Sequence, residues 1–389
     1  MEQSRHRRDV QIIGQQRTAE RTDAALLRYV LAHTGATRRD AAEYLNLSFP
    51  NISRTTGRLQ RSGILVTGPP RQTGKRGPQS QTLQLRRNLG CSIGLDVDPT
   101  HIRAVVLDFV NNIAASLRYP ISGTASAGEI TDMAAGLAAS LMSSARSQNL
   151  PVHAAGISLP GPIIDNDFCW SHAEQQVGIM KLQLLEAVKN ICRMPTFAVP
   201  ADLCFAIGHH RIRYPLDTEP EMAVLNRMEL SATVIREGWC SSTGQLGMLP
   251  YKNGPTKRYY RDVCTGSALV KLAKSRGVEL QYSELIESPG NPVVKEWLAC
   301  AVPSFAQAIY SGVVMYEPCR VIIDGVFNVM PERVRKHLVD LVTKELTTNG
   351  LALPRICLFH GDDLMGARGA AFIARDRVAD DVIAQVLQS

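Results

Sequence analysis

Two stretches of this 389-residue chain, far apart in sequence, read the same way. From Cys91, CSIGLDVDPTHIRAVVLDFVNNIAASLRYP gives a strand, a tight turn, a second strand, a hairpin at Asn111-Asn112 and a third strand. From about residue 220, AVLNRM and SATVIREGWC repeat the strand-turn-strand opening. Between and after them lie helical stretches near 127–147, 179–192, 266–276 and 293–315, and buried strands in HAAGISLPGPI, TFAVPAD and CRVIIDGVF. The alternation predicts an α/β body whose two halves open alike and enclose a cleft.

Charge separates that body from what precedes it. The net charge is +7, but residues 1–90 hold 16 Lys and Arg against 6 Asp and Glu, while the rest holds 27 against 30. One segment carries the whole positive excess, as expected when one module meets a polyanion and the remainder does not. The nine cysteines are scattered and never form a C-x-x-C pair, so neither a disulfide framework nor a closely spaced thiolate zinc site is expected. No uninterrupted apolar run approaches eighteen residues and no secretory leader is evident, which predicts a cytoplasmic protein without a membrane partner.

Within the basic segment, residues 1–17 read as a tail and 18–86 as a winged helix-turn-helix. Leu26, Leu27, Val30 and Leu31 lie on one face of a helix over 18–33. Thr37 and Asp40 cap a second helix, RRDAAEYLN, and Ser48 with Pro50 opens a third, FPNISRTTGRLQR. On that third helix Ile52, Thr56 and Leu59 share one side; Asn51, Arg54, Thr55 and Arg58 share another. Two short strands, at 64–66 and 82–85, flank the basic, Gly- and Pro-rich tip GPPRQTGKRGPQSQ. A trihelical unit with such a wing places the third helix in the major groove of double-stranded DNA. The expected DNA contacts are Ser48, Asn51, Ser53, Arg54 and Arg58, with Arg71, Lys75 and Arg76 in the wing.

The strand-hairpin-strand opening in each half is the plan of a two-lobed, actin-like (ribonuclease-H-type) fold, with lobe 1 over 90–215 and lobe 2 over 216–389, the last helix able to return to lobe 1. Six blocks follow in order: IGLDVDPTHIRAVVLD, GISLPGP, VPADLCFAIG, GQLGM, EPCRVIIDGVF and GARGAA. In that order the chain resembles the ROK family of repressors, open reading frames and kinases, and with the winged helix ahead of them it resembles the family's sugar-metabolism repressors.

The resemblance implies an ATPase/sugar-kinase-like body and shows where it departs from the kinases. Their D-x-G-G-T-K turn is Asp96-Val97-Asp98-Pro99-Thr100-His101 here, which adds a carboxylate and removes a backbone donor where phosphate would sit. The family's catalytic base falls on Asp202, but its neighbouring Asn is Ala201. The family's sugar-holding Glu and zinc-binding His are Gln245 and Met248, and Cys264 is an isolated thiol. Gly156, Pro160, Gly161, Gly325, Gly366 and Gly369 match turn and close-packing positions. These departures predict a body that is no enzyme and uses no cofactor or metal. They leave Asp202 and Gln245 to hold a sugar or sugar-derived effector. The expected protein is a homodimeric or homotetrameric repressor on a palindromic operator; the alternative is an ATP-dependent sugar kinase.

Overall fold

The structure, a computed structural model, describes residues 21–71, 80–98, 100–122, 125–160, 163–164, 167–168, 183–252, 257–359 and 361–388. The N-terminal head has helix α1 over 21–32, α2 (Arg38–Tyr44) and α3 (Phe49–Arg61), followed by strands β1 (Leu65–Pro70) and β2 (Gln81–Leu85). Thr37 and Asp40 form the capping box that their spacing predicts: Asp40 N–H donates to Thr37 Oγ1 at 3.3 Å and Thr37 N–H to Asp40 Oδ2 at 2.7 Å. Ser48 stands at the N-cap of α3, but its hydroxyl makes no capping bond. Thr55, expected on the polar side, is buried with Ile52, Thr56 and Leu59. Positions i, i+3, i+4 and i+7 make one stripe, and the core takes all four.

Strands β1 and β2 are antiparallel, pairing Leu65 with Leu85 and Thr67 with Leu83. The α1–α2 link joins their sheet through a Thr37–Thr82 bridge and a hydrogen bond from Leu83 N–H to Ala36 O at 2.8 Å. Leu26, Leu27, Val30, Ile52, Leu59 and Leu83 form the head core, which Ala374, Val378, Val382 and Ile383 from the C-terminal helices complete.

Lobe 1 is built on strands β3 (Cys91–Val97), β4 (His101–Asp108), β5 (Ile113–Pro120), β6 (Val152–Leu159) and, after the short pair β7 (Ile163–Ile164) and β8 (Asp167–Phe168), β9 (Thr196–Pro200). Helices α4 (Ala127–Ser147) and α5 (Leu184–Cys192) cover it, and α6 (Ala201–Arg213) leads out. Lobe 2 carries β10 (Glu221–Asn226), β11 (Leu230–Arg236) and β12 (Trp239–Gly244), then the hairpin β13 (Pro250–Lys252) and β14 (Lys257–Tyr259). Helices α7 (Arg261–Cys264), α8 (Gly266–Ser275), α9 (Tyr282–Glu287) and α10 (Pro292–Tyr316) precede β15 (Arg320–Gly325), α11 (Glu332–Thr348) and β16 (Arg355–Leu358). The sheets run β5-β4-β3-β6-β9 and β12-β11-β10-β15-β16. In each, the first strand is antiparallel to the second and parallel to the fourth, so the duplication expected from the two openings is present strand for strand.

Helices α12 (Met365–Arg377) and α13 (Ala379–Gln388) close the chain, α12 lying on β3, β6 and α6. It packs there backbone to backbone. A Cβ on Gly369 would stand 1.7 Å from the Cys204 carbonyl, and one on Gly156 would stand 2.1 Å from the Ala370 carbonyl. Helix α10 is long and apolar enough to cross a membrane by length and composition, though no uninterrupted apolar run flags it in the sequence. Its Trp297, Phe305 and Ile309 lie in the core of lobe 2.

Candidate functional site

Ser48, Asn51 and Arg54 are exposed along one side of α3, and Ser53 is half-buried beside them. Arg58 is already engaged: its Nε donates to Asp23 Oδ2 at 3.1 Å and its Nη2 to the other carboxylate oxygen. Arg71 donates to Asp40 Oδ2 at 2.8 Å, fastening the end of β1 to the second helix. Lys75 and Arg76 fall outside the described residues. Phe49, which the sequence does not single out, is 54% exposed at the start of α3. An aromatic at the first residue of a helix reads as core, and only its exposure distinguishes it.

The cleft between the lobes is charged. Asp96, at the end of β3, is buried and accepts from Ser158 Oγ at 2.5 Å; its carboxylate is so close to α12 that a Cβ on Gly366 would stand 2.6 Å from it. Asp98 folds the following turn around itself, accepting from the backbone N–H groups of Thr100 (2.7 Å) and His101 (2.9 Å) and from Thr100 Oγ1 (2.7 Å). It also accepts from Arg103 Nη1 at 2.5 Å. From the equivalent turn of lobe 2, Arg227 reaches across to within 3.8 Å of both Asp96 and Asp98 and donates to Asp324 Oδ2 at 3.2 Å. Arg103 donates also to Asp363 at 2.7 Å, which Arg118 contacts in turn. Burial acts to raise both aspartates. For Asp96 burial wins over Arg227, whereas Arg103, Arg227 and the Thr100 bonds hold Asp98 down at about 2. The added carboxylate of the altered turn is therefore paired within the protein; Pro99 itself lies outside the described residues.

Asp202 lies in the first turn of α6, 8% exposed, accepting from its neighbour Leu203 N–H at 2.9 Å. Burial pushes its carboxyl above the usual range, against the opposing bonds from Leu203 and the Ser231 hydroxyl. Ser231, from β11 in the other lobe, is the side chain that meets it, while Gln245 is exposed in the turn after β12. Cys264 is buried in the lobe 2 core, its thiol against the Tyr260 carbonyl at 3.1 Å. Gly325 closes β15 at φ +122, where a Cβ would strike Asn226 O. Gly161 is outside the described residues.

Several solved structures superpose on this arrangement. A ROK family transcriptional regulator, described as a homolog of the E. coli MLC protein, matches with a TM-score of 0.68 and 12% identity over 95% of this chain and 100% of that one. The ROK hexokinase from Thermus thermophilus matches with 0.60 and 19% identity over 75% of this chain and 99% of that one. A ROK family glucokinase from Streptomyces griseus, in complex with glucose and AMPPNP, matches with 0.56 and 17% identity over 74% and 99%. The fold is that of the ROK proteins. No protein-family model matches the sequence, and no curated protein does either.

The ROK fold corrects one expectation. The departures in the first turn, the sugar contacts and the zinc ligands predict a body that is no enzyme, yet the solved structures sharing this fold are mostly described as kinases, one of them holding glucose and AMPPNP. Architecture does not set this body apart from theirs, and Asp202 is buried in the first turn of α6. Changes in one turn and in the sugar contacts are too local to mark the whole body as inactive.

Proposed function

We propose that this protein is a DNA-binding transcriptional regulator, acting as a repressor, whose head reads an operator and whose sugar-kinase-like body senses an effector. The observation that carries the reading is the head itself. A helix with exposed Ser48, Asn51 and Arg54 is flanked by a two-stranded hairpin, within the segment that holds the whole positive excess of the chain. The similarity to the ROK transcriptional regulator supports it, since 95% of the chain is more than the body alone supplies. Arg58 and Arg71, bound to Asp23 and Asp40, then shape the surface, and Ser53, Lys75 and Arg76 add to the contact. A homodimer or homotetramer on a palindromic site follows from matching protein and operator symmetry.

Asp202 and Gln245 are the proposed sugar-facing groups. An effector there changes DNA binding only by favouring one lobe arrangement over another. Helix α12 gives such a change a direct route, because Gly366 abuts Asp96 in the cleft while Arg375 hydrogen-bonds the head. The test is selection of bound duplexes from a random pool by the purified protein and by Arg54→Ala, at two salt concentrations. An enriched palindrome that the variant loses supports the reading. Salt-sensitive binding with no motif overturns the operator and leaves a backbone grip alone.

A second reading, an ATP-dependent sugar kinase, is favoured by Asp202, a buried carboxyl raised by desolvation as a general base requires. Among the proteins of similar fold, one holds glucose and AMPPNP and another sucrose. Sugar-dependent ATP turnover that Asp202→Asn abolishes would establish it.

A further inference from the structure

We infer that the joint between head and body is a second ligand site, separate from the interlobe cleft, and that it takes a small uncharged aromatic compound of one or two rings. A cavity of about 320 Å³ opens there. Its walls come from both sides: Tyr29, His33 and Tyr44 from the head, Trp239 from the start of β12, and Asp376 and Asp380 from the C-terminal helices. That volume lies at the small end of ligand pockets.

The wall is built to meet a ring. Tyr29 and His33 stack with centroids 4.4 Å apart, and Tyr44 leans on both at 4.8 and 5.0 Å. Tyr44 and Trp239 are 49% and 48% exposed, although Tyr29 beside them is buried. Their polar edges lie 3.5 Å apart, Trp239 Nε1 to Tyr44 Oη. Two large aromatics left half in water at the edge of a mostly apolar cavity offer the area that a third ring would cover, by stacking or edge contact.

The charges select against an ion. Asp376 accepts from both Nη atoms of Arg211, and Asp380 is paired with Arg28. Burial, the largest influence on His33, holds its imidazole below the usual value, so the ring is neutral at pH 7. Each charge at the cavity is thus matched, and a charged ligand would give up its hydration for no free counter-ion. Binding at this cavity does not depend on whether the head binds DNA.

The probe is 2-naphthol, titrated into the full chain by calorimetry at pH 7, beside 2-naphthoate and 2-naphthylmethylamine. Saturable binding of the naphthol is expected, with both ions weaker and with affinity reduced about tenfold in Trp239→Ala and in Tyr44→Ala, the scale of one lost aromatic contact. Tyr119→Ala, which removes a similarly exposed ring from the edge strand of lobe 1, should bind as the wild type does. Absence of saturation, equal binding of the ions, or equal affinity in the Trp239 and Tyr44 variants would each overturn the assignment.

Discussion

Arg375 donates through Nη2 to the Leu31 carbonyl at 2.9 Å, so a guanidinium from α12 caps the C-terminal end of the first helix of the head. Its Nη1 donates to Asn111 Oδ1 at 2.7 Å, and the Asn111 amide reaches Thr34 in turn. Burial, only partly offset by Asp376, pushes this guanidinium down to about 10, which still leaves it charged at neutral pH. A cation at a helix C-terminus is the favourable arrangement.

Arg375→Met should therefore loosen the head before it unfolds the body. It removes the donor to the buried Leu31 carbonyl, at about 1–3 kcal/mol, and takes one partner from the half-buried Asn111, which keeps its bond to Thr34. Amide hydrogen exchange should accelerate across 21–32 while β3 and β6 stay protected. Unchanged exchange in α1 would mean that the shared core alone holds the head.

Arg54 and Arg58 sit four residues apart on α3 and should fail differently. Arg54→Ala should cost about 1–3 kcal/mol of sequence discrimination if the side chain reads a base, or lower the salt slope if it grips phosphate. Arg58→Ala breaks the bridge to Asp23, a half-exposed pair with one buried partner, and should lower head stability by about 1 kcal/mol or less. Melting curves and binding isotherms of both variants separate the two effects. Equal losses of DNA affinity with unchanged melting would place Arg58 on the DNA.

Acid should weaken the cleft through Asp98. Its folded value, about 2, lies below the unfolded one near 3.9, so its contribution of about 2–3 kcal/mol is present above pH 4 and is lost as pH falls towards 2. Asp98→Asn should flatten that part of the stability profile. Urea midpoints measured from pH 5 to pH 2 test this, and parallel profiles for variant and wild type would contradict it.

Asp202 carries the opposite sign. Its carboxyl is raised by burial, so the folded state prefers the proton and loses stability as pH rises from the unfolded value through the folded one. Asp202→Asn should melt higher than the wild type at pH 7 and no higher at pH 3. A lower melting point at pH 7 would show that the bonds from Leu203 and Ser231 outweigh the cost of burying the charge.

Much of this was readable from pattern. The cap at Thr37, the bounds of α3 and α4 and the duplicated openings all rest on local rules, since caps and short-range periodicity do not depend on distant packing. What escaped the sequence is long-range. Arg58 looks like a free donor on the wheel, and only the fold brings Asp23, 35 residues earlier, against it. Thr55 sits in the core rather than on the polar side because a hydroxyl says little about burial. Helices α6 and α11 leave a weak periodic signal, their apolar positions diluted by histidines, arginines and lysines. Nothing near Arg227 in sequence indicates that it crosses to another lobe.

The seating of α12 has a mechanical consequence. Where glycine lets main chain rest on main chain, no flexible side chains lie between to absorb a push. A displacement at Gly366 would arrive at Arg375, nine residues along, nearly undiminished, and α12 would behave as a piston whose stroke is limited by carbonyl groups.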